Sequence, residues 1–174
     1  MIRKLSHEEI VTRQVEKAGL PRLPLCVVLN NIRSLHNVGT IFRTADGVGI
    51  EKLWLCGITG YPPQGGIAKT ALGAEDHVPW EYREDILGLL KELKSAGYQI
   101  VLLEQMQGSI AHDDFKPNPP GCVVVGNEVD GITESLQSLS DAAVEIEMAG
   151  IKNSLNVAVA FGIAAYQLRA QLKK

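Results

Sequence analysis

The chain has 174 residues, 45% of them apolar and 21% charged, with a formal net charge of −3. That size fits one domain able to bury a substantial core, and no run approaches the roughly 18 apolar residues of a membrane span. The acidic balance argues against a generic, charge-driven nucleic-acid binder, so any RNA binding must come from a few placed arginines and lysines or from a partner.

The N-terminus, MIRKLSHEEI, mixes charges of both signs and lacks the apolar core of a signal peptide, which gives a cytoplasmic expectation. Residues 5–18 carry Ile10, Val11, Val15 and Ala18 at helical spacing, with Ser6 followed by Glu9 as a capping-box signature. Gly19, Pro21 and Pro24 end this helix. Residues 1–24 therefore read as a helical extension and linker, too small for a domain, ahead of a domain over residues 25–174.

Residues 25–29, LCVVL, form a short apolar run, as expected of a strand buried on both faces. Residues 30–39 follow as a polar loop, and Ile41, Ala45 and Val48 give a helical stripe. Residues 52–55 are a second strand, 57–66 (GITGYPPQGG) a loop, and 67–72 one helical turn. An amphipathic helix spans 85–96, with Ile86, Leu89, Leu90 and Leu93 on one face and Gly97 at the C′ position. Strands over 99–103 and 121–125 flank a Pro-rich loop at 112–120; a polar turn, GNEVDG, then precedes a short helix at 133–139 and a last strand at 142–146.

The chain closes on residues 151–168, IKNSLNVAVAFGIAAYQL. Asn153, Ser154 and Asn156 crowd its front, although such side chains are unfavourable inside helices. Ser154 or Asn153 as a simple N-cap is the alternative reading. Short strands alternating with helices predict an α/β domain, a mainly parallel sheet with helices on both faces. Cys26, Cys56 and Cys122 lack metal or redox spacing and read as reduced, buried strand residues. His7, His36, His77 and His112 are scattered, so no metal site is expected.

In open parallel sheets, ligands bind beyond the carboxyl ends of the strands. Three polar clusters fall there: residues 30–43 with Asn31, Arg33, Asn37, Gly39 and Arg43; 126–131 with Gly126, Glu128 and Gly131; and 148–156 with Gly150, Asn153, Ser154 and Asn156. Each residue also has a structural reading. Asn37 serves as an N-cap, Gly39 as a tight-turn residue, Glu128 as a first-turn carboxylate, and the other glycines as turn formers. Arg43, in the first turns of its helix, opposes the helix dipole, a small cost that favours a role beyond helix formation. There is no G-x-G-x-x-G after the first strand, no G-K-[ST] P-loop and no G-x-S-x-G elbow.

The three clusters resemble, in order, the signature motifs of the SpoU/TrmH branch of the SPOUT superfamily of RNA methyltransferases. NNIRSLHNVGTIFRTADGVGI is similar to the first motif, VVVGNEVDGI to the second (G-x-E-x-x-G) and IEMAGIKNSLNVAVAFGIAAYQL to the third, which closes on S-L-N-V. AKTALGAEDHVPW also resembles the K-x-x-x-G-A-E-x-x-P segment of this branch, with one more residue before its proline. The likeness covers residues 25–168. Asn30 stands where the family often has an acid, and the substrate-binding domain often found ahead of the core is expected to be absent, with only the N-terminal helix in its place.

The resemblance implies a C-terminal deep trefoil knot, a homodimer with a composite active site, and methyl transfer from S-adenosylmethionine to a ribose 2′-hydroxyl of RNA. The family casts the arginine at this position as a general base. Since a guanidinium with a pKa above about 12 suits that poorly, Arg43 is expected to stabilise the developing alkoxide and grip a phosphate, with Asn37, Ser154, Asn156 and Glu128 completing the catalytic group. Cofactor contacts fall on Leu103, Gly126, Asn127, Ile146, Met148, Gly150 and Leu155, and substrate contacts on Asn31, Arg33 and Lys69. Transfer RNA is preferred over ribosomal RNA because an acidic, nearly minimal subunit offers little surface; no DNA and no membrane are expected as partners. A catalytically silent RNA-binding member and a knotted base methyltransferase are the alternatives.

Overall fold

The computed structural model describes residues 2–127 and 132–173. Among them, β1 (Leu23–Asn30), β2 (Ile50–Cys56), β3 (Trp80–Arg83), β4 (Gln99–Leu103), β5 (Ile110–Ala111), β6 (Gly121–Val125) and β7 (Ala142–Glu145) form one sheet. Its order is β3-β2-β1-β6-β4-β7-β5, and every pairing is parallel. The order is consistent with the C-terminal knot that the resemblance implies.

Successive strand residues point to opposite faces, and both faces are covered. Leu25, Val27 and Leu29 of β1 pack with α2 (Leu35–Val48), α3 (Gly65–Ala71) and α6 (Val157–Leu172). Cys26 and Val28 face the other way, toward Leu89, Leu90 and Leu93 of α4 (Ile86–Ser95) and Leu136 of α5 (Glu134–Gln137). Central strands must therefore be apolar at every position, as LCVVL and GCVVV are. Cys26, Cys56 and Cys122 lie on β1, β2 and β6, buried and unbridged.

The helix signals act as their chemistry requires. Ser6 caps α1 (His7–Ala18) in a full capping box with Glu9, yet Ile10, Val11 and Val15 stay exposed. At the end of α4, Gly97 adopts φ +88, its N–H meets the Lys94 carbonyl and the Tyr98 N–H meets that of Leu93. That pair of bonds is the Schellman closure anticipated from Gly97.

Three expectations need correction. First, α2 starts at Leu35, capped by Ser34, whose side chain accepts from the Asn37 N–H. Asn37 is thus inside the first turn and not its cap, and Arg43 lies mid-helix, where the dipole penalty does not reach. Second, Gly39 forms no turn. A Cβ there would sit 2.2 Å from the Ile67 carbonyl oxygen, so glycine is what lets α3 lie against α2. Third, Asn156 caps α6, leaving Asn153 and Ser154 in the irregular segment ahead of it. In addition, β3 and β5 fall in stretches to which the sequence assigns no element. Both are short edge strands, four and two residues long, whose patterns are too brief to register as a period.

Candidate functional site

A cavity of about 540 Å³ opens at the carboxyl ends of β4, β6 and β7. Three strand ends deliver its floor: Leu103 from β4, Val125, Gly126 and Asn127 from β6, and Val144, Glu145 and Ile146 from β7. Its wall is the segment before α6, with Met148, Asn153, Ser154 and Leu155, continued by Val157 and Ala160 of the helix. Parallel strands with buried faces end together on one edge, and the chain must turn there with its backbone polar groups exposed to a ligand.

Of the residues expected around a cofactor, Leu103, Gly126, Asn127, Ile146, Met148 and Leu155 line this cavity, and Ser154 joins them. Gly150 does not. It is exposed, and a Cβ added there would meet nothing within 4 Å, so neither a tight turn nor a close approach requires glycine at this point. Glu128 and Gly131 lie outside the described residues.

Side-chain hydrogen bonds tie the three polar clusters together. Asn156 accepts from the Ala158 N–H through Oδ1 at 3.0 Å and donates through Nδ2 to Asn37 Oδ1 at 3.1 Å. One amide thus caps α6 and fastens it to α2, using both halves of its donor–acceptor capacity. The second cluster reaches the first through Asn127, which is buried and donates to the Asn31 carbonyl at 3.1 Å. Asn31 itself adopts φ +58, a left-handed conformation that asparagine tolerates better than most residues. Its Oδ1 accepts from the Ile58 N–H and its Nδ2 donates to Asn30 Oδ1, both at 3.1 Å. Asn30 is buried. Its amide thus offers an acceptor to Asn31, a structural use for the position where the family often has an acid.

Arg43, Arg33 and Lys69 are exposed and line none of this chain's cavity. Arg43 shares a helical stripe with Gly47, four residues on, and Gly47 lies against Tyr166 of α6, whose Oη would be 2.9 Å from an added Cβ. Val159, Ile163 and Tyr166, at 51%, 38% and 54% exposure, make an apolar stripe along α6 beside it. Arg43 therefore belongs to an exposed face shared by α2 and α6.

Several cavity residues escaped sequence reasoning, Glu104, Gln105 and Glu145 among them. Glu104 and Gln105 follow β4 directly and line the cavity, and Gln105 Nε2 donates to the Asn153 carbonyl at 2.8 Å. Their signal was positional: a polar pair immediately after a buried strand, on the edge where ligands bind. Among the described residues no group of three or more His, Cys, Asp or Glu is placed to hold a metal, and no helix is long and apolar enough to cross a membrane.

Residues 24–166 match the model of the family described as the SpoU rRNA Methylase family. A tRNA (guanosine(18)-2′-O)-methyltransferase of Aquifex aeolicus is 32% identical over 151 residues, 84% of this chain and 69% of that protein. The crystal structure of an A. aeolicus TrmH/SpoU tRNA modifying enzyme superposes with a TM-score of 0.82 at 28% identity, covering 95% of this chain and 84% of that one. An AdoMet-bound rRNA methyltransferase from Sinorhizobium meliloti gives a TM-score of 0.79 at 29% identity, over 85% of this chain and 56% of that one. The chain spans 58–63% of the length of several further curated relatives.

Proposed function

Because the chain belongs to the SpoU methylase family, we propose that it transfers a methyl group from S-adenosylmethionine to a ribose 2′-hydroxyl of structured RNA, with transfer RNA the favoured substrate. The observation that carries this reading is that the Asn156–Asn37 and Asn127–Asn31 bonds fasten the first polar cluster to the two clusters that line the cavity. The names of the Aquifex and Sinorhizobium proteins support the reaction class, and the bound ligand of the latter supports the cofactor.

The cavity suits that cofactor chemically. Its apolar residues, Leu103, Ile132, Ile146 and Leu155, offer a slot for a base, and Glu104 and Glu145 offer carboxylates to cationic or hydroxyl groups. When bound, S-adenosylmethionine supplies a methyl already activated on a sulfonium. What remains for the protein is orientation and proton management. Gly126 and the segment 153–155 present backbone groups to the ligand, while Asn127 and Gln105 hold those two segments in place. Gly150, exposed and away from the cavity, is set aside from the cofactor group.

A 2′-hydroxyl is a weak nucleophile, and a guanidinium with a pKa above about 12 is a poor proton acceptor. Arg43 then acts by placing fixed positive charge beside the developing alkoxide and an adjacent phosphate, with the proton leaving through a neighbour or water. Ser154, on the cavity wall, and Asn37 and Asn156 supply donors and acceptors for the ribose. Arg33, Lys69 and Asn31 face the RNA.

Arg43 lies on the α2–α6 face and not in its own chain's cavity, and that face is apolar and exposed. Both facts support a homodimer in which Arg43 completes the partner's site. The test is nucleoside mass spectrometry on separated tRNA and rRNA from cells with and without the gene. Loss of one 2′-O-methyl nucleoside, restored by the wild type and not by Arg43→Ala, is expected. A missing base methylation instead overturns the ribose assignment, and no change in either pool overturns the enzyme. Arg43→Lys with near-wild-type turnover overturns the need for a forked guanidinium.

A further inference from the structure

The loop after β2 carries an aromatic group that the proposed reaction leaves unused. Tyr61, 44% exposed, lies 4.8 Å from Tyr82 between ring centroids and 6.2 Å from Trp80, with which it is stacked. Tyr82, on edge strand β3, is 36% exposed, and Ile58 beside them is 62% exposed. Burial drives aromatic rings inward unless something else uses their faces. Here two tyrosines instead share a ledge open to solvent.

The ledge is held firmly. Tyr82 Oη donates to the Gly57 carbonyl at 3.0 Å, and Thr59 Oγ1 donates to the Leu29 carbonyl while accepting from the Ile32 N–H, both at 3.0 Å. The Ile58 N–H is bonded to Asn31, the residue that Asn127 ties to the cavity. The ledge and the methyl-transfer cavity are therefore braced by one hydrogen-bond network. They also share one edge of the sheet: the ledge follows β2 and β3, and the cavity follows β6, β4 and β7. Two to four strand intervals between the β3–β2 pair and the β6–β4 pair put them roughly 10–20 Å apart, a span of a few nucleotides.

Two exposed cations adjoin the ledge's loop along the chain. Leu35 packs against its loop, a Cβ at Gly60 falling 2.3 Å from that side chain, and Arg33 is exposed two residues earlier. The loop runs directly into α3, which presents exposed Lys69. Aromatic faces beside backbone-binding cations are how proteins hold single-stranded nucleic acid, and stacking accepts any base.

We propose that Tyr61 and Tyr82 form a stacking platform for an unpaired base of the RNA, a few nucleotides from the methylated ribose. The RNA ligand is taken from the proposed function. The platform makes the substrate a segment whose bases are splayed out near the target, since a base within a duplex offers no free face.

The test is binding of fluorescently labelled hexa-adenylate RNA and of an abasic ribose-phosphate chain of the same length. Wild type is expected to favour hexa-adenylate. Tyr61→Ala weakens that binding roughly 5- to 150-fold and shifts abasic binding less than about twofold, the residual set by phosphate contacts alone. Tyr61→Trp restores a stacking face and the affinity. Tyr61→Leu keeps apolar bulk without a π-face and reports the same loss should the alanine variant unfold. Unchanged hexa-adenylate affinity in a folded Tyr61→Leu protein overturns the platform, as does parallel loss of the abasic chain or a wild type that does not distinguish the two. Methylation is read separately. Intact methylation without base discrimination removes the platform alone, and base discrimination without RNA methylation removes the reaction alone.

Discussion

Replacing Gly39 by alanine sets two effects of opposite sign against each other. Gly39 lies inside α2, where propensity alone favours alanine by up to about 1 kcal/mol. The new Cβ, however, would stand 2.2 Å from the Ile67 carbonyl oxygen and 2.2 Å from Thr70 Oγ1, with the Ala71 nitrogen at 3.0 Å. Thr70 has a side-chain torsion to turn away on, at the cost of its 2.9 Å bond to the His36 carbonyl, worth about 1 kcal/mol. The Ile67 oxygen is main chain and moves only with α3. Restoring ordinary contact requires α3 to retreat by roughly 1 Å, which falls in the overpacking range of about 1–3 kcal/mol. The net expectation is about 1–3 kcal/mol of destabilisation. Urea unfolding of wild type, Gly39→Ala and Gly162→Ala measures it. Gly162 is also inside a helix, α6, but an added Cβ meets nothing within 4 Å, so its alanine variant should gain about 0.5–1 kcal/mol. A Gly39→Ala protein as stable as wild type would refute the close approach of α3. Equal losses in both variants would show that contact with α3 is not the cause.

Asn156→Ala removes the α6 cap and the bond to Asn37 together, so thermal unfolding should report a loss of about 1–3 kcal/mol. Asn156→Asp keeps the capping oxygen and should recover at least half; identical losses would mean that the cap contributes nothing. The Glu9 carboxyl is held down to about 2 by the Arg3 guanidinium and then by the Ser6 N–H. Its folded value lies below its ordinary 4.5, so the capping contribution is present above about pH 4.5 and is lost as pH falls toward 2. NMR titration should find the Glu9 midpoint near 2 and higher in Arg3→Ala; a wild-type midpoint near 4.5 would exclude the bonded geometry. Burial pushes the Cys56 thiol up to about 12, and a hydrogen bond with Cys26 together with burial pushes Cys122 up as well. A thiol reagent at pH 8 should therefore label none of Cys26, Cys56 and Cys122 in the folded protein and all three in urea. Rapid native labelling of any one would contradict its place in the sheet.

Much of the fold was legible before any coordinates because its signals are local. LCVVL and GCVVV are apolar at every position, the mark of strands covered on both faces. The Ser6–Glu9 pair and Gly97 act within one helical turn and carry their geometry with them. The caps of α2 and α6 fell on residues that the local pattern had not singled out for that role. Ser34 rather than Asn37 caps α2, and Asn156 rather than Ser154 or Asn153 caps α6, where Asn156 also satisfies a partner more than a hundred residues away. Gly39 looked like a turn former because nothing nearby in sequence announces α3 pressing against it.

The residue types of the candidate site were thus readable from the chain alone, and so was their clustering after strands. Their assembly was decided by the sheet order, which brings the ends of β6, β4 and β7 side by side although they are far apart in sequence. Tertiary structure alone put Glu104 and Gln105 in the cavity, Gly150 outside it, and Arg43 on a face it shares with α6. The physical reason is one of range: capping and periodicity act over a few residues, whereas cavities and faces are made by packing between segments that no local pattern relates.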